Sequence, residues 1–305
     1  FGQTLDDFSS DKHLTVVKGD IRHLKSSDLK GFETVINLAS LSNDPTGELI
    51  PEVTRSINYH GAVTLGKKAK DAKVKKYIFS SSCSVYGIGT GELNEKSATN
   101  PVSEYAKSKL RAENKIKQLS NHDFAACSLR LATLYGVSKK RMRFDLMINI
   151  MTLHAWKNNR IFILGGGKQW RPLLHIDDAV RAFYNVMNQN NEKIAGEIFN
   201  IGENRQNYQV SEIANLFRNY FPNIDIVETP DDPDPRSYRV NFDKARKILS
   251  FKPSKNVDKG IYEIKKALMN GDISESLATN TLKYYEYLIE ADSLMKKVKI
   301  KNKLF

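Results

Sequence analysis

Cysteine is scarce in this chain. Cys83 and Cys127 are its only two in 305 residues, too few for a disulfide framework and too far apart for a zinc motif, so a reducing compartment and no metal site are expected. Long apolar runs are missing too: no stretch approaches the ~18 consecutive apolar residues of a membrane span. The opening FGQTLDDFSSDKH has neither the basic nor the apolar region of a secretory signal. These absences read as a cytoplasmic protein with no membrane partner. Acidic residues are in deficit, 35 Asp and Glu against 47 Lys and Arg, giving a formal net charge of +12. The lysines lie scattered through GKKAKDAKVKK and LMKKVKIKNKLF without interleaved aromatics, which favours a solvated surface over nucleic-acid binding. A positive field of this kind still recruits an anionic small molecule.

A β-α-β-α rhythm fills the first two-thirds of the chain. HLTVVKGD (13–20), TVINLAS (34–40), KKYIFSSS (75–82) and AACSLRLA (125–132) read as short strands, with helical runs at about 52–73 and 103–120 between them. This alternation predicts an α/β fold built on a doubly wound, Rossmann-like parallel sheet covered on both faces. After residue 140 the rhythm loosens. A helix near 143–158, strands RIFILGG and EIFNIG, a helix from Asp177, a helix with Ser211 as N-cap and further helices at about 242–250, 257–270 and 278–295 read as a smaller, mixed lobe. The division is 1–140 for the dinucleotide-binding domain and 141–305 for a substrate-binding lobe that partly interleaves with it.

Within SEYAKSKL, Tyr105 and Lys109 lie four residues apart on one helical face. A free phenol, with a pKa near ~10, is a poor base at neutral pH. An ammonium ~4 Å away at an effective dielectric of ~20 favours phenolate by roughly 4 kcal/mol, about three pKa units before desolvation is subtracted. Such a pair can exchange a proton with an alcohol. The clusters at Asp20, at Ala39 and Ser40, and at Ser80–Ser84 fall at strand ends, where doubly wound sheets bind ligands.

FSSSCSVYG followed by YAKSK resembles the extended short-chain dehydrogenase/reductase family, in its nucleotide-sugar epimerase and dehydratase group. VINLAS, SIN at Asn58, LRLATLYG, WRPLLHIDDAVRA, EIFNIG and DPRSY resemble further segments of that family, in its order. The resemblance implies Tyr105 as the acid/base on a sugar hydroxyl, Lys109 on the nicotinamide ribose and Ser82 on the reacting oxygen. It places Asp20 and Ile21 at the adenine, Leu38, Ala39 and Ser40 along the cofactor, and Asn58 in support. Thr133, Arg171 and Arg236 fall to the substrate, the arginines because a planar guanidinium grips phosphate oxygens bidentately. NAD or NADP, a nucleotide-diphosphate sugar and a homodimer pairing helices 52–73 and 103–120 are implied with them.

Two departures from the family pattern shape the expectation. The family opens with a strand, a glycine-rich loop and a helix that cradle the cofactor pyrophosphate. Here the match begins about where a second strand would end, so that N-terminal block is expected to be missing, through truncation or an incomplete reading frame. The later ILGGGKQWRP follows a strand but runs into extended sequence, which argues against it as a substitute. The family's 4,6-dehydratases follow the catalytic hydroxyl with an Asp-Glu pair, and Cys83 and Ser84 stand in those places. Redox at a ring carbinol with epimerisation through a keto-sugar therefore fits better than elimination. A dehydrogenase or dehydratase of the same family, or an inactive binding protein, are the alternatives.

Overall fold

The computed structural model describes residues 11–230 and 234–300. Its central sheet has four parallel strands, β1 (Thr34–Asn37), β2 (Lys76–Ser82), β4 (Ala125–Leu131) and β8 (Ile198–Ile201), in the order β1-β2-β4-β8. Strand β4 is buried along its whole length, as a central parallel strand covered on both faces must be. Side-chain alternation in β2 sorts the two cores. Tyr77 and Phe79 pack with Leu65, Ala69, Ala112 and Ile116 on one face, and Ile78 packs with Leu129, Ala179, Ala182 and Phe199 on the other.

The helices of the first face are α3 (Ala62–Asp71) and α4 (Glu104–Leu119). Two short helices, α1 (Asp44–Leu49) and α2 (Pro51–Thr54), precede α3, and a π-helical turn, Arg55–Gly61, joins α2 to it. Asn58 sits fully buried in that turn. Its Oδ1 accepts from the Leu41 N–H at 2.8 Å while its Nδ2 donates to the Leu41 carbonyl at 2.9 Å. Between β2 and α4 runs β3 (Ile88–Leu93), which pairs with β11 (Ser237–Val240).

Beyond β4 the chain builds β5 (Thr133–Tyr135), α5 (Met147–Asn158), β6 (Arg160–Leu164), β7 (Trp170–His175) and α6 (Ile176–Met187), the last covering the second face of the sheet. Then come α7 (Asn191–Ile194), β9 (Asn207–Gln209), α8 (Val210–Leu216), β10 (Asp225–Thr229), α9 (Asp243–Leu249), α10 (Val257–Met269) and α11 (Thr281–Val298). A third apolar core, including Ile148, Ile161, Ile163, Ile213, Phe217 and Ile264, lies among α5, β6, α8 and α10.

Three sequence expectations are corrected here. Residues 13–20 form no strand: no neighbouring strand pairs with them among the described residues, and Val16 and Val17 are 57% and 78% exposed. EIFNIG supplies β8 to the main sheet instead of to the later lobe, because its apolar side chains Phe199 and Ile201 fill the core beside β4. Ser211 is not an N-cap; helix α8 starts at Val210, and Gln209 with Glu212 forms a capping box there. Gly165–Gly167 end β6 and lead into β7 with no helix opening after them, in keeping with the sequence reading of ILGGGKQWRP.

Candidate active site

Helix α4 presents its N-terminus to the carboxyl end of β2. Ser103 caps it, its Oγ accepting from the Ala106 N–H at 3.1 Å, and Tyr105 and Lys109 follow one turn apart. Ser82 bears on the Tyr105 hydroxyl, lowering its pKa, and Ser82 Oγ accepts from the Ser84 N–H at 3.1 Å. Lys109 is buried, its Nζ donating to the Ser80 carbonyl at 2.7 Å and lying 4.8 Å from the Phe79 ring centroid and 5.7 Å from that of Tyr105. Gly47 of α1 backs onto this pair so closely that a Cβ there would stand 2.7 Å from Tyr105 Cβ.

The electrostatics differ from the sequence expectation. Burial, then the Asp44 carboxylate, push the Tyr105 hydroxyl up to about 12, against the opposing pull of Ser82, Arg143 and Arg236. Lys109 does not act as the depressing charge, because burial lowers its own pKa to about 7, with Glu113 opposing. In the ligand-free chain Tyr105 is therefore a neutral phenol. Because folding lowers the Lys109 pKa, the unfolded chain binds the extra proton between about pH 7 and about pH 10.5, so this group's contribution to stability rises with pH across that window. Thermal unfolding of the wild type and of Lys109→Met should show the wild type gaining relative to the variant as pH rises from 7 towards 10. A constant difference would count against the buried, depressed ammonium.

The two arginines read from the sequence meet at one carboxylate. Arg171 Nη2 lies 3.0 Å from Asp234 Oδ2, and Arg236 Nε donates to Asp234 Oδ1 at 2.7 Å. Arg236 also reaches Asp44 in α1, which accepts from Ser103 at the start of α4. A line of charge thus links β7 and the segment before β11 to the helix that carries Tyr105. Thr133 lies half-buried at the start of β5, paired in register with Leu173 of β7. Sequence reasoning passed over Arg143 and Asp44. Arg143 donates to Ser42 at 3.1 Å and pairs with Asp145 at 2.6 Å, and its charge acts on Tyr105. The only signal for it in the sequence was the run RMRFD soon after Gly136.

The remaining sequence-derived residues fall around β1 and the π-helical turn. Asp20 is held by Arg22 through contacts of 3.0 Å from Nε to both carboxylate oxygens, which keeps its carboxyl well below the usual range, and Arg22 extends to Ser56 at 3.1 Å. Ile21 packs on Gly61. At the end of β1, Leu38 is 62% exposed, the Ala39 N–H donates to Asn37 and the Ser40 hydroxyl donates to the Leu41 carbonyl. Among the described residues, two buried hydroxyls, Thr46 Oγ1 in α1 and Ser84 Oγ just after β2, have no hydrogen-bond partner. Among the described residues no cluster of His, Cys, Asp and Glu could hold a metal ion, and no helix is long and apolar enough to cross a membrane.

Residues 3–202 of the sequence match the model of the NAD dependent epimerase/dehydratase family. The chain belongs to that family. Among curated epimerase/dehydratase relatives, an uncharacterized UDP-glucose epimerase of Bacillus subtilis is 22% identical, the match covering 85% of this chain and 82% of the relative. A putative UDP-glucose 4-epimerase of Methanocaldococcus jannaschii is 26% identical over 84% of each chain. The human dTDP-D-glucose 4,6-dehydratase is 31% identical, over 48% of this chain and 41% of its own length. The fold is similar to the crystal structure of UDP-glucuronic acid 4-epimerase from Bacillus cereus with UDP-glucuronic acid and NAD, with a TM-score of 0.77, 22% identity and coverage of 87% and 85%. The resemblance to the extended short-chain dehydrogenases, the Rossmann-like fold and the family's dependence on NAD are thereby established.

Proposed function

We propose that this chain is a nucleotide-sugar epimerase-type oxidoreductase of 4-epimerase character, acting on a ring hydroxyl through a keto-sugar. The observation that carries the reading is the meeting of Tyr105, Ser82 and Lys109 at the end of β2, with a buried thiol at the next position. Burial pushes the Cys83 thiol far up, and its Sγ lies 3.3 Å from the Arg130 carbonyl, so no thiolate stands ready for elimination. The carboxylate that bears on Tyr105, Asp44, is committed to Ser103 and Arg236. These features favour redox at a carbinol over loss of a hydroxyl.

The residues present fit the nicotinamide-ribose half of NAD: a buried lysine beside the tyrosine, an exposed Leu38 at a parallel strand end, and orphan hydroxyls nearby. Lys109 would hold the ribose, with Leu38, Ala39 and Ser40 along the cofactor, Asn58 in support through the Leu41 backbone, and Asp20 and Ile21 towards the adenine. Bound NAD supplies a hydride acceptor and donor. Tyr105, in its deprotonated form, takes the proton from the sugar hydroxyl at its phenolic oxygen, and Ser82 orients that hydroxyl. Arg171 and Arg236 bind the diphosphate, and Thr133 belongs to the substrate side. We read 1–140 as the dinucleotide-binding part and 141–305 as the substrate-binding part, with β8 crossing between them.

Calorimetric titration with UDP-glucose, followed by analysis of the product at C4, tests this reading. Arg236→Ala should weaken nucleotide-diphosphate binding by about 1.5–3 kcal/mol, the range for hydrogen bonds to charged groups. An unchanged dissociation constant removes Arg236 from the substrate site. A cytoplasmic homodimer completes the proposal. It is supported by the adjacent helices α3 and α4 and by Val53, 37% exposed just before them. Light scattering at micromolar concentration checks it, and a monomer mass removes it.

A further inference from the structure

Three consecutive serines end β2, and three α4 side chains spaced one helical turn apart face them. Lys109 donates to the Ser80 carbonyl at 2.7 Å, the Ser81 hydroxyl donates to Glu113 Oε1, and Ser82 bears on the Tyr105 hydroxyl. Glu113 is wholly buried and is gripped by Arg130, whose Nε lies 3.1 Å from both carboxylate oxygens and whose Nη2 lies 2.7 Å from Oε2. Arg130 Nη1 donates at 3.0 Å to the Tyr86 hydroxyl, which donates at 2.9 Å to Asn200. A polar chain therefore runs from β8 through β4 and into α4, ending beside the reacting groups. Replacing a buried ion pair with apolar residues is often neutral or stabilising, so stability alone does not account for this one.

We propose that Glu113 is a positioning residue: clamped by Arg130, it fixes Ser81, and with it the neighbouring Ser82, against α4, and it sets a carboxylate one helical turn beyond Lys109. This rests on the roles proposed above for Tyr105, Ser82 and Lys109. The groups facing Lys109 are Tyr105 and Glu113 from its own helix, the Ser80 carbonyl and the Phe79 ring from β2, and Arg130 of β4 behind Glu113. Of these, Glu113 is the anion. Burial works against the Lys109 charge and Glu113 works for it.

The test uses the folded full chain without ligand. Lysine carrying 13C at Cε is followed by NMR against pH, with Lys109→Met assigning the signal. In Glu113→Gln/Arg130→Met, which removes both charges and leaves no buried arginine unpaired, the Lys109 midpoint should fall by about one pH unit or more. An unchanged midpoint in a protein that retains its circular dichroism overturns the proposal. Should the double variant not fold, Ser81→Ala cuts the link to β2 and leaves the ion pair whole. The Cζ signal of Tyr105, in tyrosine-labelled protein, should then move, because Ser82 is no longer held; an unmoved signal overturns the proposal equally. Neither readout needs turnover, so an inactive wild type would defeat the functional reading while leaving the role of Glu113 decided.

Discussion

Tyr105→Phe is expected to lower turnover of a nucleotide sugar by at least about 100-fold while leaving nucleotide-sugar affinity nearly intact. The substitution removes one oxygen at the end of β2 and keeps the ring that packs against Gly47 and near Lys109. Because burial and Asp44 hold the hydroxyl protonated up to about 12, only the small phenolate fraction can accept the sugar's proton, and turnover limited by proton removal should rise with pH above neutrality. In the variant that rise should disappear. Steady-state rates across pH, set beside calorimetric dissociation constants, separate loss of proton transfer from loss of binding. Near-normal turnover would remove Tyr105 from the chemistry.

Arg130→Met is expected to destabilise the fold by about 3–5 kcal/mol, the usual result of breaking a buried ion pair from one side. Arg130 is 3% exposed and Glu113 is 0% exposed, so the orphaned carboxylate has no route to water and must take up a proton or draw water into the core. Tyr86 loses a donor at the same time. Urea denaturation measures the loss. Adding Glu113→Gln to Arg130→Met should recover much of it, and a single variant as stable as the wild type would show that the pair is not electrostatically isolated.

The elements that the sequence made legible are those whose burial is local. KKYIFSSS and AACSLRLA became β2 and β4 to within a residue because apolar side chains on both faces of a parallel strand leave a dense signal. Helix α4 was legible as the run 103–120 with its Tyr105 and Lys109 spacing, and the structure brings both residues to Ser80 and Ser82. HLTVVKGD has the composition of a strand, but pairing requires a neighbour, and composition cannot report one. The partners of Arg236 were equally hidden: Asp44 lies 192 positions away in the chain, and only the fold joins them. Charge order misled for a different reason. The Tyr105 and Lys109 spacing was right, yet desolvation, which sequence spacing does not encode, outweighs the attraction between them.

The π-helical turn at Arg55–Gly61 amounts to one surplus residue inside an otherwise regular helical run. One residue is about 100° of rotation, so the faces of α2 and α3 are offset by that phase across the turn. A repeat of 3.6 drawn continuously through 52–73 therefore assigns its apolar stripe to the wrong side on one half or the other. The surplus is spent at Asn58, where the widened turn lets a single amide side chain meet both backbone groups of Leu41, as a β-strand neighbour would. The helix thus lends the loop after β1 one rung of a ladder that no strand provides. Excising a residue from the turn would restore regular winding and swing that rung away from the strand end.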